Sequence, residues 1–169
     1  MLTVFIDQIS SNLLRLGYIT QIEPGIPGIQ GLLYAHSPSP FRLGVAKVTD
    51  HFLYIDWENA SFSRKDMLLE FFKQFSKYVN QGYRVPHALR INIPNLVMIA
   101  ISENEFTPEI IQFVATTYLT PWYGGETGQL ILIELRRKNI YCHKPPKFKE
   151  PGSLPLSHGA EIIINTSWG

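Results

Sequence analysis

The spacing of apolar residues alternates between a helical and an extended period, and this alternation predicts the order of the elements. Apolar side chains recur at helical spacing from Leu2 to Leu16, and the pattern stops at Gly17. A second helix is predicted after Ser63, which can cap its first turn while Asp66 returns the bond. Residues 107–109, Thr-Pro-Glu, predict a third helix start, because a capping hydroxyl, a proline and an acid all suit the first turn.

Runs of extended pattern lie between these helices. The predicted strands are Tyr18 to Ile22, Gly31 to Ala35, Phe41 to Val48, Phe52 to Trp57, Val97 to Ile101 and Leu130 to Leu135, with an edge strand at Ala160 to Asn165. The third and fourth of them are separated only by the polar residues 49–51, which predicts a hairpin with Phe52 to Trp57 as its central strand. The order α-β-β-β-α-β-α-β indicates an α/β fold, a mixed sheet with helices on both faces.

Length and composition limit the class of protein. The 169 residues suit one domain, 1–169, and a content of 45% hydrophobic against 17% charged residues excludes a disordered chain. Four prolines between residues 144 and 159 predict an irregular C-terminal extension over 144–169. Cys142, the one cysteine of the chain, rules out an internal disulfide.

The overall charge selects no partner. Lys and Arg number 15 and Asp and Glu 14, so a net charge of +1 gives no general attraction to nucleic acid or membranes. The apolar runs are far shorter than the roughly 20 residues that span a bilayer. The first ten residues lack the basic region of a signal peptide. These features predict a soluble cytoplasmic protein without a membrane partner.

Two carboxylates follow the predicted central strand. Alternation along Phe52 to Glu58 places Asp56 and Glu58 on one face, where together they could bind a hard cation such as Mg²⁺. Lys65, at the start of the next helix, lies near enough in sequence to join them. The alternative is that both carboxylates are simply solvated at a strand end.

A second candidate feature is basic. It comprises Arg136, Arg137, Lys138, Lys144, Lys147 and Lys149, with aromatic residues interleaved. Such a patch can neutralise phosphates, so DNA is the partner it suggests. The alternative is a solvated strand end followed by an exposed tail. The five histidines are scattered without metal-ligand spacing, and most of them fall in predicted loops, so no role is predicted for them.

One stretch carries a family resemblance. Residues 98–102 (MIAIS), 106–115 (FTPEIIQFVA) and 130–135 (LILIEL) resemble the strand, F-T-P-E-A helix and strand of the Mrr-like branch of the PD-(D/E)XK nucleases. The element order from Leu2 to Tyr141 is also similar to that of this superfamily. The resemblance implies a restriction-endonuclease-like mixed sheet flanked by helices, and Mg²⁺-dependent phosphodiester hydrolysis of DNA.

The resemblance also assigns roles to residues. The family's acid-x-lysine triplet falls on residues 56–58, so Asp56 keeps the acid and Glu58 replaces the lysine. Asp56 and Glu58 would hold the ion, and Lys65, on the following helix, would orient or activate water. The family's upstream aspartate should fall near Arg42 or Leu43, where the chain has no acid.

Three functions remain open at this point. The first is an endonuclease-like enzyme that acts on DNA. The second is a catalytically inactive relative that serves as a protein-binding or regulatory module. The third is a small-molecule-binding α/β protein that uses the glycine-rich residues near Gly124. DNA binding with a steep salt dependence would separate the first from the others. Besides DNA, the partners to be considered for the chain are a second copy of itself, in a homodimer, or another protein.

Overall fold

The computed structural model describes most of the chain. The described residues are 1–43, 46–58, 65–86, 89–117, 119, 125–143, 162–163 and 166–168. The predicted cap Ser63 and the basic residues Lys144, Lys147 and Lys149 lie outside them. Most of the glycine-rich segment near Gly124 is also outside.

Over the described residues the chain forms an α/β structure with one mixed sheet, as the sequence predicts. Its strands are β1 (Ile19–Ile22), β2 (Gly31–His36), β3 (Phe41–Leu43), β4 (Ala46–Asp56), β5 (Asn92–Ser102), β6 (Thr127–Glu134) and β7 (Asn139–Cys142). The helices are α1 (Leu2–Arg15), α2 (Lys65–Asn80) and α3 (Pro108–Thr116). The spatial order of the strands is β1-β2-β4-β5-β6-β7, with β3 paired to β4.

The centre of the sheet is parallel and its two sides are antiparallel. β4, β5 and β6 run in the same direction. β1, β2 and β4 form an antiparallel series on one side, and β7 pairs antiparallel with β6 on the other. Helices α2 and α3 make the two crossovers between the parallel strands, as parallel neighbours require.

The predicted hairpin is wrong in its pairing. Residues 46–56 form one continuous strand, and the Phe52 half of that strand pairs with β2 instead of with Phe41 to Val48. The short β3 pairs with residues 46–48, at the other end of β4. Phe52 to Asp56 is nevertheless a central strand, because β5 pairs along the whole of β4 on its other side.

Hydrogen bonds from neighbouring elements explain why the polar residues 49–51 continue the strand. Thr49 donates to the side chain of Asn92. The carboxylate of Asp50 accepts from the Tyr18 hydroxyl and from the Asn95 amide, both at 2.8 Å. With these partners in place, buried polar side chains are tolerated in the middle of a strand. The prediction of a polar loop at Asp50 is therefore wrong.

Both faces of the sheet are covered. Leu53, Ile55 and Trp57 share one core with α2 and α3, while Phe52 and Tyr54 share the other with α1. The predicted alternation along this strand is confirmed. Amphipathic α2 contributes its buried face of Leu68, Phe72, Phe75 and Val79 to the first core.

The end of the chain differs from the prediction. The predicted edge strand at 160–165 is wrong at residues 162 and 163, which have helical backbone, as do residues 166 and 167. Ile163 is fully buried in the α1 core, and the Trp168 ring lies 5.4 Å from the Phe5 ring. This part of the predicted irregular extension therefore packs against α1. Over the part of the chain described here, no helix has both the length and the apolar character to cross a membrane.

Candidate functional site

The two predicted carboxylates lie at the end of β4, where they have different environments. Asp56 is the last residue of the strand, and its Oδ1 accepts a hydrogen bond from the backbone N–H of Glu58 at 3.0 Å. A short side-chain acceptor that binds the backbone two residues on is a common way to turn the chain. Asp56 thus helps to direct residue 58 away from the sheet.

The Glu58 carboxylate is held by the loop between β5 and α3. Its Oε1 accepts from the Ser102 hydroxyl at 2.9 Å and from both the backbone and the side-chain N–H groups of Asn104, at 2.8 and 2.9 Å. Partial desolvation acts to raise the pKa of Glu58, but the hydrogen bonds from Asn104 and Ser102 outweigh it, so the pKa is lowered. Glu58 is therefore an ionised acceptor that fixes a loop.

A second acid holds the same loop from β6. Glu134 is buried, and its Oε1 accepts from the backbone N–H of Phe106 at 2.9 Å. Its Oε2 accepts from Asn139 and from the Tyr141 hydroxyl on β7. The carboxylates of Glu58, two residues after β4, and of Glu134, on β6, thus hold residues 102–106 against the carboxyl ends of the parallel strands.

Lys65 begins α2, as predicted, and forms an ion pair with Glu109. Its Nζ lies 3.4 Å from Oε1 of Glu109 at the start of α3, and both side chains are about half exposed or more. Across the described ranges, no group of three or more acidic, histidine or cysteine side chains is placed to hold a metal ion. Mg²⁺ can bind through one or two carboxylates, but Glu58 Oε1 already has three hydrogen-bond partners. These residues fit a Mg²⁺ centre poorly.

The position expected for the family's upstream aspartate must be corrected. Arg42 and Leu43 lie on β3, which pairs with the opposite end of β4 from Asp56. The strand beside Asp56 is β2, whose residue Gly31 pairs with Ile55. β2 has the sequence GLLYAH and carries no acid either.

The first half of the predicted basic patch is an exposed turn between β6 and β7. Arg136, Arg137 and Lys138 are all exposed. Arg137 forms an ion pair with Glu105, and the Lys138 ammonium lies over the Trp168 ring at 5.9 Å. Two of these three cations thus have partners within the chain.

Replacing Glu58 tests its role as a loop anchor. We expect E58Q to lower the free energy of unfolding by about 1 kcal/mol at neutral pH, because an ionised acceptor is lost from an exposed cluster. The difference in the free energy of unfolding between E58Q and the parent protein should disappear at acidic pH. Because the pKa of Glu58 is lower in the folded state, the ionised side chain stabilises the fold at any pH above the pKa of the unfolded chain. This stabilisation is lost as the pH falls through the lower pKa of the folded state.

Urea unfolding at neutral and acidic pH measures this effect. The matched control is E109Q, which removes only the exposed partner of Lys65 and should change stability by less than about 0.5 kcal/mol. Equal, small effects of both variants would show that the Glu58 hydrogen bonds do not stabilise the fold.

A large cavity is present at the amino end of β4, away from these carboxylates. It measures about 1050 Å³ and is lined by residues of β2, β4, the end of α2 and the approach to β5. Its aromatic and imidazole members are Tyr34, His36, His51, Tyr78 and Tyr83. We call this cavity the Tyr–His groove.

His51 joins two tyrosines of this groove. Its Nδ1 lies 2.7 Å from the Tyr34 hydroxyl and its Nε2 lies 3.1 Å from the Tyr83 hydroxyl. Thr49, on the same strand as His51, donates to the Asn92 side chain.

A neutral imidazole has one N–H donor and one unprotonated nitrogen, so His51 donates to one tyrosine hydroxyl and accepts from the other. In either tautomer both ring nitrogens are hydrogen-bonded.

Burial is the reason that His51 stays neutral. The residue is 7% exposed, and desolvation, followed by the nearby His36 ring, lowers the pKa of His51 to about 3. Burial likewise raises the pKa of Tyr34, and the nearby Tyr78 and Tyr83 raise it further. The rings of His51 and of its two tyrosine partners are thus uncharged and hydrogen-bonded to one another at the floor of the groove.

The rim of the groove is basic. Arg84 and Arg90 line it, and none of its described lining residues is acidic. The Arg90 guanidinium lies 4.9 Å above the Tyr83 ring and donates to the backbone oxygen atoms of Val85 and Gly125. Arg90 is therefore held in place, whereas Arg84 is exposed.

The positions of the histidines along the chain do not predict this groove, because two of its members come together only through strand pairing. In the sheet, His36 pairs directly with His51 across β2 and β4, and their rings lie 6.0 Å apart. The sequence does show that Tyr34 and His36, two residues apart, lie on one face of β2. Only the register of β2 against β4 places His51 on that same face.

Comparisons with known proteins identify no relative. No protein-family model, no curated protein and no solved structure matches this chain.

Proposed function

We propose that this chain is a restriction-endonuclease-like protein without nuclease activity, which acts as a protein-binding or regulatory module. The order α1-β1-β2-β3-β4-α2-β5, in which β1, β2 and β4 form an antiparallel series and β5 follows as a parallel strand, supports the nuclease-like part of the proposal. Apart from the short β3, it is the order that the sequence resemblance implies. A fold alone carries no activity, so the function depends on the site.

The observation that carries the inactive assignment is the environment of Glu58. This residue occupies the position of the family's lysine, and its carboxylate is bonded to Ser102 and Asn104. Lys65, the proposed substitute, pairs with Glu109. Neither strand that pairs antiparallel with β4 supplies the upstream acid. The contacts of Glu58 and Lys65 are structural ones, and this favours binding over hydrolysis.

The proposal predicts that Mg²⁺ has little effect on the protein. If the protein had a Mg²⁺ site, a free Mg²⁺ concentration of 100 times its Kd would raise the free energy of unfolding by about 2.7 kcal/mol. We expect millimolar Mg²⁺ or Mn²⁺ to raise the melting temperature by less than about 1 °C. We also expect no nicking of supercoiled plasmid beyond that of the D56N variant. Thermal melts and gel analysis measure both quantities.

The control variant is D7N, which removes an exposed acid of α1. Plasmid nicking that D56N abolishes and D7N preserves would overturn the proposal and restore the Mg²⁺-dependent endonuclease. A metal-dependent rise in melting temperature that only D56N removes would also count against it.

A further inference from the structure

We infer that the Tyr–His groove is a binding site for a small organic anion that carries a flat aromatic ring. The inference rests on the proposed function, since it names the ligand that a regulatory module of this kind would bind. The groove is at the amino end of β4, whereas Asp56 and Glu58 are at its carboxyl end. It is thus separate from the predicted catalytic position.

Charge is the first argument. The chain as a whole is nearly balanced, with 15 basic and 14 acidic residues. The described lining of the groove instead has two arginines, Arg84 and Arg90, and no carboxylate. A concave surface lined by one sign of charge attracts ligands of the other sign. The ligand should therefore be an anion.

The second argument is the set of hydrogen-bond donors that the arginines can still offer to a ligand. Arg90 donates through Nε to Val85 and through Nη1 to Asn80 and Gly125. Within the described part of the chain no acceptor is bonded to Nη2, so its two protons can bind a ligand. The contacts of Nε and Nη1 also fix the orientation of Arg90, so little side-chain entropy would be lost on binding. Arg84 is exposed and adds a second, adaptable donor. Two guanidinium groups suit a carboxylate, sulfonate or phosphate.

The third argument is the shape of the walls, which consist of flat rings, with apolar side chains at the rim. Tyr34, His36 and Tyr78 present rings to the groove, with Tyr34 and Tyr78 edge to face at 5.8 Å. At the rim, Leu89 and Ile91 are each 71% exposed. Exposed apolar side chains beside a cavity are a common mark of a ligand site. An aromatic ring would cover them and stack on the rings of the wall.

The size of the groove favours a small molecule. Its volume of about 1050 Å³ is just above the usual range of small-molecule pockets, roughly 300–1,000 Å³. The floor is formed by His51 and its hydrogen bonds to Tyr34 and Tyr83. The groove therefore has a depth and a floor, as a pocket for a compact ligand does.

The test uses two fluorescent probes of similar shape and different charge. Anilinonaphthalene sulfonate is an aromatic anion, and phenylnaphthylamine has the same ring systems without the sulfonate. We expect saturable, one-to-one binding of the anion to the native protein, and about tenfold weaker binding of the neutral probe at low salt. Circular dichroism and a cooperative melt confirm that the protein is folded during the titration.

Variants locate the site. We expect R84Q to weaken binding of the anionic probe about threefold to fivefold, since an exposed charge is removed, and to leave the neutral probe unaffected. Y78L should weaken both probes, because a ring of the wall is lost. R136Q is the matched control, an exposed arginine of the β6–β7 turn, and should change neither.

Equal affinity for both probes, or anion binding that R84Q leaves unchanged, would overturn the inference. Failure of the inference is distinguishable from failure of the proposed function. Asp56-dependent nicking with intact, Arg84-dependent probe binding would overturn only the inactive assignment. No nicking, together with a groove insensitive to Arg84, would overturn only the ligand site.

Discussion

Acidification below about pH 6.5 is expected to destabilise the protein through His51 by up to about 1.4 kcal/mol for each pH unit. Burial lowers the pKa of this residue to about 3 in the folded state, from an ordinary value of 6.5. Between these values the unfolded chain takes up a proton that the folded chain cannot. The stabilisation is therefore complete above pH 6.5 and is lost as the pH falls toward 3.

Urea unfolding between about pH 7 and pH 4 measures this dependence. H51Q removes the titrating group and keeps a donor and an acceptor for Tyr34 and Tyr83, so its stability should fall less steeply with acid. The matched control is H36Q, which changes the half-buried neighbour. A pH dependence that H51Q leaves unchanged would show that His51 is protonated in the folded state.

Truncation of Phe75 is expected to have the largest effect of a single core substitution, a loss of about 4 kcal/mol in the free energy of unfolding. Its ring is fully buried between α2 and the sheet and contacts Phe72 and Tyr34 edge to face. F75A removes that area and leaves a cavity in the core that α2 and α3 share. The same substitution would also loosen the Tyr34 side of the groove.

Chemical denaturation of F75A and of the control F71A measures this contribution. Phe71 lies on the same helix but is only half-buried, so F71A should cost clearly less. Similar losses in both variants would contradict the assignment of Phe75 as the central contact of α2.

Much of the fold could be predicted from periodicity. The helices, the two-sided burial of β5 and the faces of residues 52–57 follow from the spacing of apolar side chains, which acts locally. The continuous β4 could not be predicted in this way. The burial of Asp50 depends on Tyr18 and Asn95, residues that are distant in sequence and whose positions are set by the tertiary structure.

The same limit applies to the candidate sites. The sequence could place Asp56 and Glu58 at a strand end, but their chemistry depends on a loop that follows β5. Asn104, 46 residues away, supplies two of the hydrogen bonds that hold Glu58. The groove likewise depends on the register that pairs His36 with His51. A pattern along the chain carries no information about such register.

The loop held by Glu58 and Glu134 lies at the end of the sheet where open α/β proteins usually bind their ligands. Open α/β sheets commonly bind in a crevice at the carboxyl ends of their strands, at the point where successive crossovers pass to opposite faces. Here α2 and α3 pack in the same core on one face. In addition, residues 102–106 are bonded across the ends of β4 and β6. Among the described residues, this bonded loop lies at the carboxyl ends of the strands, whereas the Tyr–His groove is at the amino end of β4, between β2 and the approach to β5. A ligand held in the groove would therefore contact the opposite ends of the parallel strands from those used in most open α/β sheets.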